Sequence, residues 1–174
     1  MAFLTLYDQY FPLLFRYCRQ ITPATQLIED TIHDLFVYLW DHKQNINDIS
    51  SVRAYLISSV RRRLLKEMKN ESKELIVNDT EATAFEFMFD SDLESGLRQK
   101  MLELSEKQRE VLYLKFYNNL SFQEIAEIMD ITIDAVYKIA KRSLHKLKKK
   151  LIISGLVKGS LVVGMYVIIR LLYF

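Results

Sequence analysis

Residues 121–147 read SFQEIAEIMDITIDAVYKIAKRSLHKL, and this stretch decides the fold of the C-terminal third. Ser121, followed three residues later by Glu124, predicts a capping box that opens a short helix. Thr132 predicts the cap of a longer helix that runs from 133 to about 149. A short helix, a tight turn and a longer basic helix are typical of a helix-turn-helix, whose second helix projects into the major groove of DNA.

The turn between these two helices favours the same interpretation. Ala126 is small where the helices would cross, Ile131 can fill the space beneath the turn, and Val136 can pack the second helix on the first. Asp130 stands where a glycine is common, and we expect it to adopt the left-handed conformation, which short polar side chains enter at modest cost. On these residues alone, an ordinary three-helix packing unit is the alternative.

The composition indicates an all-helical chain. With 174 residues, half of them hydrophobic, the chain can build one medium core or two small ones. Four glycines and two prolines are too few for the turns of a sheet, and the apolar residues recur at helical spacing. The single cysteine, Cys18, excludes an internal disulfide, and we interpret it as a small buried hydrophobic residue in a protein of a reducing compartment.

The net charge of +2 hides a segregation of charge along the chain. Residues 70–104 carry nine acids against three bases and should repel phosphate, whereas residues 131–150 carry seven bases against Asp134 alone. A second basic cluster precedes the acidic stretch and comprises Arg61, Arg62, Arg63, Lys66 and Lys69. Two cationic surfaces on either side of an acidic connector indicate two contacts with one polyanion, although solvated helix faces would give the same runs.

The first 69 residues predict three amphipathic helices that make one small domain. The second helix is expected to begin with Thr22 as its cap and Pro23 as its first residue. Ser50 or Ser51 can cap the third helix. The apolar positions of that third helix are Val52, Leu56, Val60, Leu64 and Leu65.

The middle of the chain predicts a linker and then a second domain. Residues 70–95 are acidic and weakly periodic, so we expect a linker with at most a short helix at 82–89. Ser105 with Gln108 forms another capping box, and the helix that it opens is expected to continue through Phe116.

The sequence disfavours an enzyme. His33, His42 and His145 lie on different segments without cysteine partners, so no metal-ligand spacing is present. The chain also lacks a glycine-rich phosphate loop and a serine or cysteine with a plausible neighbouring base. We therefore predict no enzymatic activity, no metal and no cofactor.

Both halves of the chain resemble one protein family. The segments LSEKQREV at 104–111 and LSFQEIAEIM at 120–129 resemble region 4 of the extracytoplasmic-function (ECF) sigma factors, the region that binds promoter DNA. The segment DLFVYLW at 34–40 resembles the polymerase-binding helix of sigma region 2, and VRAYL at 52–56 resembles the start of its promoter-melting helix. The resemblance covers about residues 5 to 150.

The resemblance implies a sigma factor that binds core RNA polymerase and directs promoter-specific transcription initiation. Its implied fold is all-α, with two small helical domains joined by an acidic linker and followed by a hydrophobic C-terminal helix. The boundaries are 1–69 for the region 2-like domain, 70–95 for the linker, 96–150 for the region 4-like helix-turn-helix and 151–174 for the tail. The implied partners are core RNA polymerase, promoter DNA and, as a further candidate, an anti-sigma factor. The alternative is an autonomous helix-turn-helix regulator, similar to response-regulator output domains, that binds operators as a dimer.

The resemblance also implies functional residues in region 2. Polymerase binding is assigned to Asp30, Asp34 and Trp40. Binding of the minus-10 element is assigned to Arg53, Tyr55, Ser59, Arg61, Arg62 and Lys66. Aromatic and basic side chains suit this task because unstacked bases need a stacking surface and the displaced strand needs its phosphates neutralised. Arg62 stands where the family often carries asparagine, so we expect phosphate binding there rather than base readout.

In region 4, the first turns of the last helix would bind the minus-35 element. The residues that project away from its buried stripe are Thr132, Asp134, Tyr137, Lys138, Lys141 and Arg142. We expect base contacts from Tyr137 and Lys138, whereas Lys141 and Arg142 should position the DNA backbone.

Residues 151–174 fall outside the resemblance. This tail is mostly apolar, carries only Lys158 and Arg170 as charges, and is long enough to span a bilayer. The N-terminus lacks a signal peptide, so we expect a cytoplasmic protein, with membrane association through the tail as one hypothesis. The alternatives are a helix packed on the other domains or on an anti-sigma partner, and a helix lying in the membrane interface.

Overall fold

The computed structural model of the protein describes residues 2–42, 49–74 and 101–153. These residues form α-helices and contain no β-strand, which confirms the all-α prediction for the described part of the chain. In chain order the helices are α1 (Ala2–Cys18), α2 (Thr25–Asp41), α3 (Val52–Glu74), α4 (Glu106–Leu112), α5 (Phe122–Met129) and α6 (Ile133–Ile153). The short helix predicted at 82–89 and the tail from 154 onward lie outside the described residues.

Helices α1, α2 and α3 pack against one another in pairs and share one apolar core. Each contributes side chains spaced three or four residues apart, as an amphipathic helix must when only one of its faces is buried. The fully or almost fully buried residues include Leu14 and Tyr17 from α1, Ile28, Ile32, Leu35 and Phe36 from α2, and Leu56, Ile57, Val60 and Leu64 from α3. Cys18 is also buried here, as predicted.

The predicted start of α2 is wrong by two residues. The helix begins at Thr25 with Ala24 as its N-cap residue, and no side chain caps it. Thr22 instead accepts a hydrogen bond on Oγ1 from the backbone N–H of Ala24 at 3.3 Å, so its hydroxyl closes a short turn ahead of the helix. Pro23 therefore lies in that turn rather than at the first helical position.

Helix α3 confirms the predicted cap but corrects the predicted core positions. Ser51 accepts a hydrogen bond on Oγ from the backbone N–H of Ala54 at 3.3 Å. Of the apolar positions named from the sequence, Leu56, Val60 and Leu64 are buried, whereas Val52 and Leu65 are exposed, because the inward stripe passes through Ile57. The helix also continues past 69, the predicted end of the domain, to Glu74.

The predicted caps of the C-terminal helices are confirmed. At α4, Ser105 accepts on its side chain from Gln108 N, while Gln108 Oε1 accepts from Ser105 N at 3.1 Å. At α5, Ser121 and Glu124 form the same reciprocal pair, with Ser121 N donating to Glu124 Oε2 at 2.7 Å. Thr132 caps α6 by accepting from Ala135 N at 3.2 Å. These bonds satisfy backbone N–H groups that a helix start leaves without partners.

The turn of the helix-turn-helix also has the predicted conformation. Asp130 lies in the left-handed region with φ 53° and ψ 50°, and its backbone N–H donates to the carbonyl of Ala126. Ile131 is packed against the core, and Val136 is fully buried. The tight left-handed turn therefore redirects the chain from α5 into α6 without a glycine.

The helix that begins at Glu106 departs from the predicted continuous α-helix. After Leu112 it widens into a π-helical turn at Tyr113–Tyr117, which ends when Asn118 N donates to the carbonyl of Tyr113 at 3.2 Å. This wider turn stacks the rings of Tyr113 and Tyr117, whose centroids lie 4.9 Å apart at 17°. Isolated π-helical turns of this kind occur mostly inside α-helices, and often at functional sites.

Helices α4 and α5 pack on α6 and complete the C-terminal domain. The inward face of α6 is as predicted, with Val136, Ala140, Leu144 and Leu147 buried and Ile139 packed against the core. Helix α5 also packs on α3, so the N-terminal and C-terminal domains are in direct contact.

Candidate nucleic-acid interface

The outer face of α6 presents the residues expected to contact a DNA groove. Thr132, at its cap, is exposed, and so are Asp134, Tyr137, Lys138, Lys141 and Arg142 on the helix itself. Val136 and Ala140, one turn apart, are buried on the opposite side. A helix that buries one face against its domain and offers a basic outer face is the arrangement that major-groove docking requires.

An aromatic and cationic cluster holds Tyr137 in place. Its ring centroid lies 4.2 Å from that of Phe122 at the start of α5, and Lys115 Nζ lies 4.6 Å from the Phe122 ring centroid. Lys115 also donates to the carbonyl of Leu120 at 3.0 Å. Tyr137 is nevertheless 47% exposed, so the cluster fixes one side of the ring and leaves the other side open for contact.

The end of α6 is tied to its own domain. Lys146 donates from Nζ to the backbone carbonyl of Glu103 at 2.6 Å, so this lysine helps to dock the helix rather than project from it. Lys148 and Lys149 remain exposed.

Four of the six predicted minus-10 residues line a single cavity. The cavity lies between α2 and α3 and has a volume of about 430 Å³. Its lining consists of Leu35, Tyr38, Tyr55, Ser58, Ser59, Arg62, Arg63 and Lys66. Aromatic rings, hydroxyls and three cationic groups are thus brought together, which suits an unstacked base and its phosphates.

Tyr38 and Arg63 belong to this cavity but were not predicted as site residues. The Arg63 guanidinium carbon lies 4.8 Å from the Tyr38 ring centroid, which is a cation–π geometry. The Tyr38 ring also stacks on the His42 ring, with the two centroids 4.1 Å apart. Tyr38 comes from α2 and Arg63 from α3, so their pairing depends on how the two helices pack. The basic cluster 61–69 was the available signal for Arg63, and no signal in the sequence connects it to Tyr38.

The other two predicted minus-10 residues face the C-terminal domain. Arg53 donates from Nη1 to the carbonyl of Asn118 at 2.9 Å. Arg61 forms an ion pair with Glu110 of α4, with Nε 2.8 Å from Oε1. Tyr17 donates its hydroxyl to the same Oε1 at 2.7 Å. The predicted set is therefore divided between two faces of α3.

Burial shapes the ionisation of this cluster. Burial on its own would lower the pKa of Arg61, but the hydrogen bond and the charge of Glu110 outweigh it, so that pKa is raised. Burial, followed by the nearby charge of Glu110, raises the pKa of Tyr17 well above its ordinary value. Arg61 therefore stays cationic and Tyr17 neutral, and both can serve as hydrogen-bond donors to Glu110.

The residues predicted to bind polymerase share the outer face of α2. Asp30 and Asp34 are exposed, and Trp40 is 48% exposed beside Phe3, with ring centroids 5.0 Å apart. Val37 is exposed on the same helix. Exposed large apolar side chains bordered by polar groups are typical of a protein-binding surface.

The residues that the structure describes hold neither a metal-binding cluster nor a membrane-spanning helix. Residues 2–42, 49–74 and 101–153 contain no group of three or more His, Cys, Asp or Glu side chains that could hold a metal ion. In the same ranges, no helix is both long and apolar enough to cross a membrane.

The helix-turn-helix and the second cationic surface define a helical DNA-binding protein with two domains. Comparison with known families matches residues 6–74 to Sigma-70 region 2 and residues 101–149 to Sigma-70, region 4. The chain is similar to RNA polymerase sigma factor YlaC of Bacillus subtilis, with 25% identity over 155 residues that span 84% of this chain and 90% of YlaC. It is also similar to ECF RNA polymerase sigma factor SigL of Mycobacterium tuberculosis, with 24% identity over 80% of this chain and 81% of SigL. The chain belongs to the ECF sigma factors.

A solved structure supports the fold. The sigma factor RpoE of Bartonella quintana, crystallised with the anti-sigma factor NepR, superposes with a TM-score of 0.63 at 18% identity, covering 86% of this chain and 96% of RpoE. As a sigma factor, the protein binds core RNA polymerase and directs it to promoters. The region 2 match accounts for the N-terminal half, which an autonomous helix-turn-helix regulator would leave unexplained.

Proposed function

We propose that this sigma factor recognises promoters through two separate surfaces. The exposed face of α6 binds the minus-35 element, and the cavity between α2 and α3 holds the displaced strand at the minus-10 element. The observation that carries the proposal is the cavity itself, because it gathers Tyr55, Ser59, Arg62 and Lys66 at one place. The proposed domains are those predicted from the sequence: 1–69, the linker 70–95, 96–150 and the tail 151–174.

At the minus-35 element, Tyr137 and Lys138 are proposed to contact base edges, while Lys141 and Arg142 hold the phosphates. All four are exposed on one helix. Thr132 and Asp134 lie at the start of α6, where base edges are closest when a recognition helix enters the groove by its N-terminal end.

At the minus-10 element, Tyr55 is proposed to offer a stacking surface, and Arg62 and Lys66 to neutralise phosphates. Stacking of a base on an aromatic ring contributes about 1–3 kcal/mol, which helps to offset the cost of unpairing the duplex. Ser59 is proposed to donate a hydrogen bond from its hydroxyl. Arg53 and Arg61 complete the proposed set on the neighbouring face of α3.

Two variants separate the surfaces. Arg62→Ala should weaken binding of a single-stranded oligonucleotide of mixed sequence, and Lys138→Ala should weaken binding of duplexes that the wild-type protein selects from a random library. Each variant should leave the other probe unaffected in fluorescence anisotropy. Equal losses on both probes for both variants would contradict the division.

The outer face of α2, with Asp30, Asp34 and Trp40, is proposed to bind core RNA polymerase. Replacing Trp40 by alanine should weaken assembly with the core enzyme and leave binding of the isolated protein to DNA unchanged. The chemistry of transcription then belongs to the polymerase, and we propose that this chain is not itself an enzyme. Its site of action is proposed to be the cytoplasm, where the polymerase works.

We also propose an anti-sigma factor as a regulatory partner. The support is the similarity in fold to RpoE of Bartonella quintana, which was crystallised in complex with the anti-sigma factor NepR. Purification of the full-length chain from its host should yield a partner protein whose removal increases transcription in a reconstituted reaction.

A further inference from the structure

The ring of Tyr137 on α6 contacts a residue of the preceding helix. Phe122, the first residue of α5, has its ring centroid 4.2 Å from that of Tyr137, at an interplanar angle of 38°. Ring centroids this close place the two rings in direct contact. The side chain assigned to a base edge therefore takes its orientation from outside the recognition helix, while 47% of it stays exposed.

Phe122 is itself fixed at its backbone and at its ring. Ser121 Oγ accepts from the backbone N–H of Glu124 at 3.1 Å, and Glu124 Oε2 accepts from Ser121 N at 2.7 Å, so the capping box holds the backbone on either side of Phe122. Lys115 Nζ lies 4.6 Å from the Phe122 ring centroid and donates to the carbonyl of Leu120 at 3.0 Å. A residue anchored in this way can hold a neighbouring ring in place.

The buried face of α5 is formed by other residues. Ile125, Ala126 and Met129 are buried, whereas Phe122 is only half-buried and packs against the core from its edge. The Phe122 ring thus lies between the core of the domain and the exposed Tyr137. This position suits a residue that orients Tyr137 more than one that fills the core.

Order in a side chain before binding increases its contribution to specificity. An exposed side chain can change rotamer, and immobilising one such side chain on binding lowers affinity by a factor of about 2 to 12. That factor applies only where Tyr137 engages a base, because a duplex without the matching sequence gains nothing from the contact. Prior ordering of Tyr137 therefore favours the matching sequence over others.

We propose that Phe122 is a positioning residue for minus-35 recognition, which holds the Tyr137 ring in the orientation that contacts base edges. This inference rests on the proposed base contact of Tyr137. Phe122 acts through Tyr137 and carries no charge. It therefore contributes to sequence discrimination and leaves the phosphate contacts proposed for Lys141 and Arg142 unchanged.

The test is a double-mutant cycle on the full-length chain. Fluorescence anisotropy measures the affinity for a duplex that the wild type selects from a random library and for a scrambled duplex. Phe122→Leu, which removes the ring and keeps an apolar side chain, should reduce the ratio of the two affinities by about 2- to 12-fold. In a Tyr137→Ala background the same substitution should leave the ratio unchanged. Phe122→Tyr keeps the ring and should keep the wild-type ratio.

The matched control is Phe116→Leu, which makes the same substitution at an exposed position of the π-helical turn and should keep the wild-type ratio. The salt dependence of binding separates positioning from a general loosening of the domain. Phe122→Leu should keep the wild-type slope of affinity against salt concentration, because no phosphate contact is lost.

If Phe122→Leu does not fold, as judged by circular dichroism, Phe122→Met replaces it with the same expected results, since a flexible side chain fills the space without presenting a flat ring. The positioning role is wrong if the folded variant keeps the wild-type ratio. It is also wrong if the variant lowers the ratio equally in the Tyr137→Ala background. A wild-type ratio for Tyr137→Ala alone would instead contradict the proposed base contact of Tyr137, and the inference would fall with it.

Discussion

Single residues decide what the recognition helix does at the minus-35 element. Lys138 and Lys141 are both exposed lysines of α6, one turn apart, and they carry the same charge. The proposal gives them different tasks, because one is assigned to a base edge and the other to the phosphate backbone. The two roles cannot be distinguished by charge, because both lysines carry the same charge. They can be distinguished by how much each lysine contributes to sequence specificity, since only base contacts carry sequence information.

Lys138→Ala is expected to reduce discrimination between the selected duplex and a scrambled duplex by about 5- to 150-fold, which corresponds to the loss of about 1–3 kcal/mol from a base contact. Lys141→Ala is expected to weaken binding to both duplexes by a similar factor and to lower the salt dependence by about one phosphate contact. Anisotropy titrations over a range of salt concentrations measure both quantities. The assignment fails if the two variants lose specificity equally.

A second effect at the residue scale is that the carboxyl of Glu124 makes the stability of the protein depend on pH. Burial on its own would raise the pKa of this carboxyl, but the hydrogen bonds from the backbone and side chain of Ser121, together with smaller contributions from Ser51 and Lys115, lower it overall. The pKa of the Glu124 carboxyl is therefore lower in the folded state than in the unfolded state. The ionised carboxylate in the capping box stabilises the folded protein fully at pH values above the unfolded-state pKa. This stabilisation is lost as the pH falls through the folded-state pKa.

Thermal unfolding followed from neutral pH down to about pH 3 should therefore show a steeper loss of stability for the wild type than for Glu124→Gln. Glu127→Gln, on the same helix but outside the capping box, is the control and should keep the wild-type slope. Parallel curves for the wild type and Glu124→Gln would show that the capping box does not carry this dependence.

At the scale of the helices, sequence patterns that span only a few residues predicted the helix caps and the turn correctly. Ser105 with Gln108 and Ser121 with Glu124 are local signals, since each pair forms its hydrogen bonds within one helical turn. Asp130 was predictable for the same reason, because a tight turn between two helices needs a left-handed residue wherever the rest of the chain lies.

Features that depend on distant residues could not be predicted. The π-helical turn at Tyr113–Tyr117 has no sequence signature of its own, so a continued α-helix was the natural expectation. Arg61 and Glu110 lie on different domains, and a basic residue on α3 is equally consistent with a DNA contact and an internal ion pair. The same limit applies to the Tyr38–Arg63 pair in the cavity, which forms only when α2 and α3 pack.

The left-handed conformation of Asp130 in the turn before α6 can be tested by measuring the stability of variants at this position. Asp130→Gly should be neutral or stabilise the protein by up to about 1 kcal/mol, because glycine enters this conformation without steric cost. Asp130→Val should destabilise it by about 1–2 kcal/mol, because a branched side chain clashes there. Urea unfolding followed by circular dichroism measures both. A valine variant as stable as the glycine variant would argue against the left-handed turn.

At the scale of the whole molecule, the hydrophobic tail lies beyond both family matches. The match to Sigma-70, region 4, ends at residue 149, and α6 is described only to Ile153. Membrane association through residues 151–174 thus remains a prediction from the sequence alone.

Cell fractionation tests the tail. If it spans the bilayer, the full-length protein should stay with membranes after alkaline extraction, while a chain truncated before Leu151 should be released. A tail that packs on a protein partner would instead leave both forms in the supernatant, and a tail in the interface would be extracted by alkali.

The most direct test of the two-surface account is reconstituted transcription on genomic fragments with purified core RNA polymerase. The wild-type chain should give promoter-specific transcripts, and Arg62→Ala and Lys138→Ala should each reduce them strongly, whereas Lys107→Ala, an exposed lysine of α4 outside both surfaces, should leave them unchanged. The account is contradicted if Arg62→Ala and Lys138→Ala both initiate as well as the wild type from the same promoters.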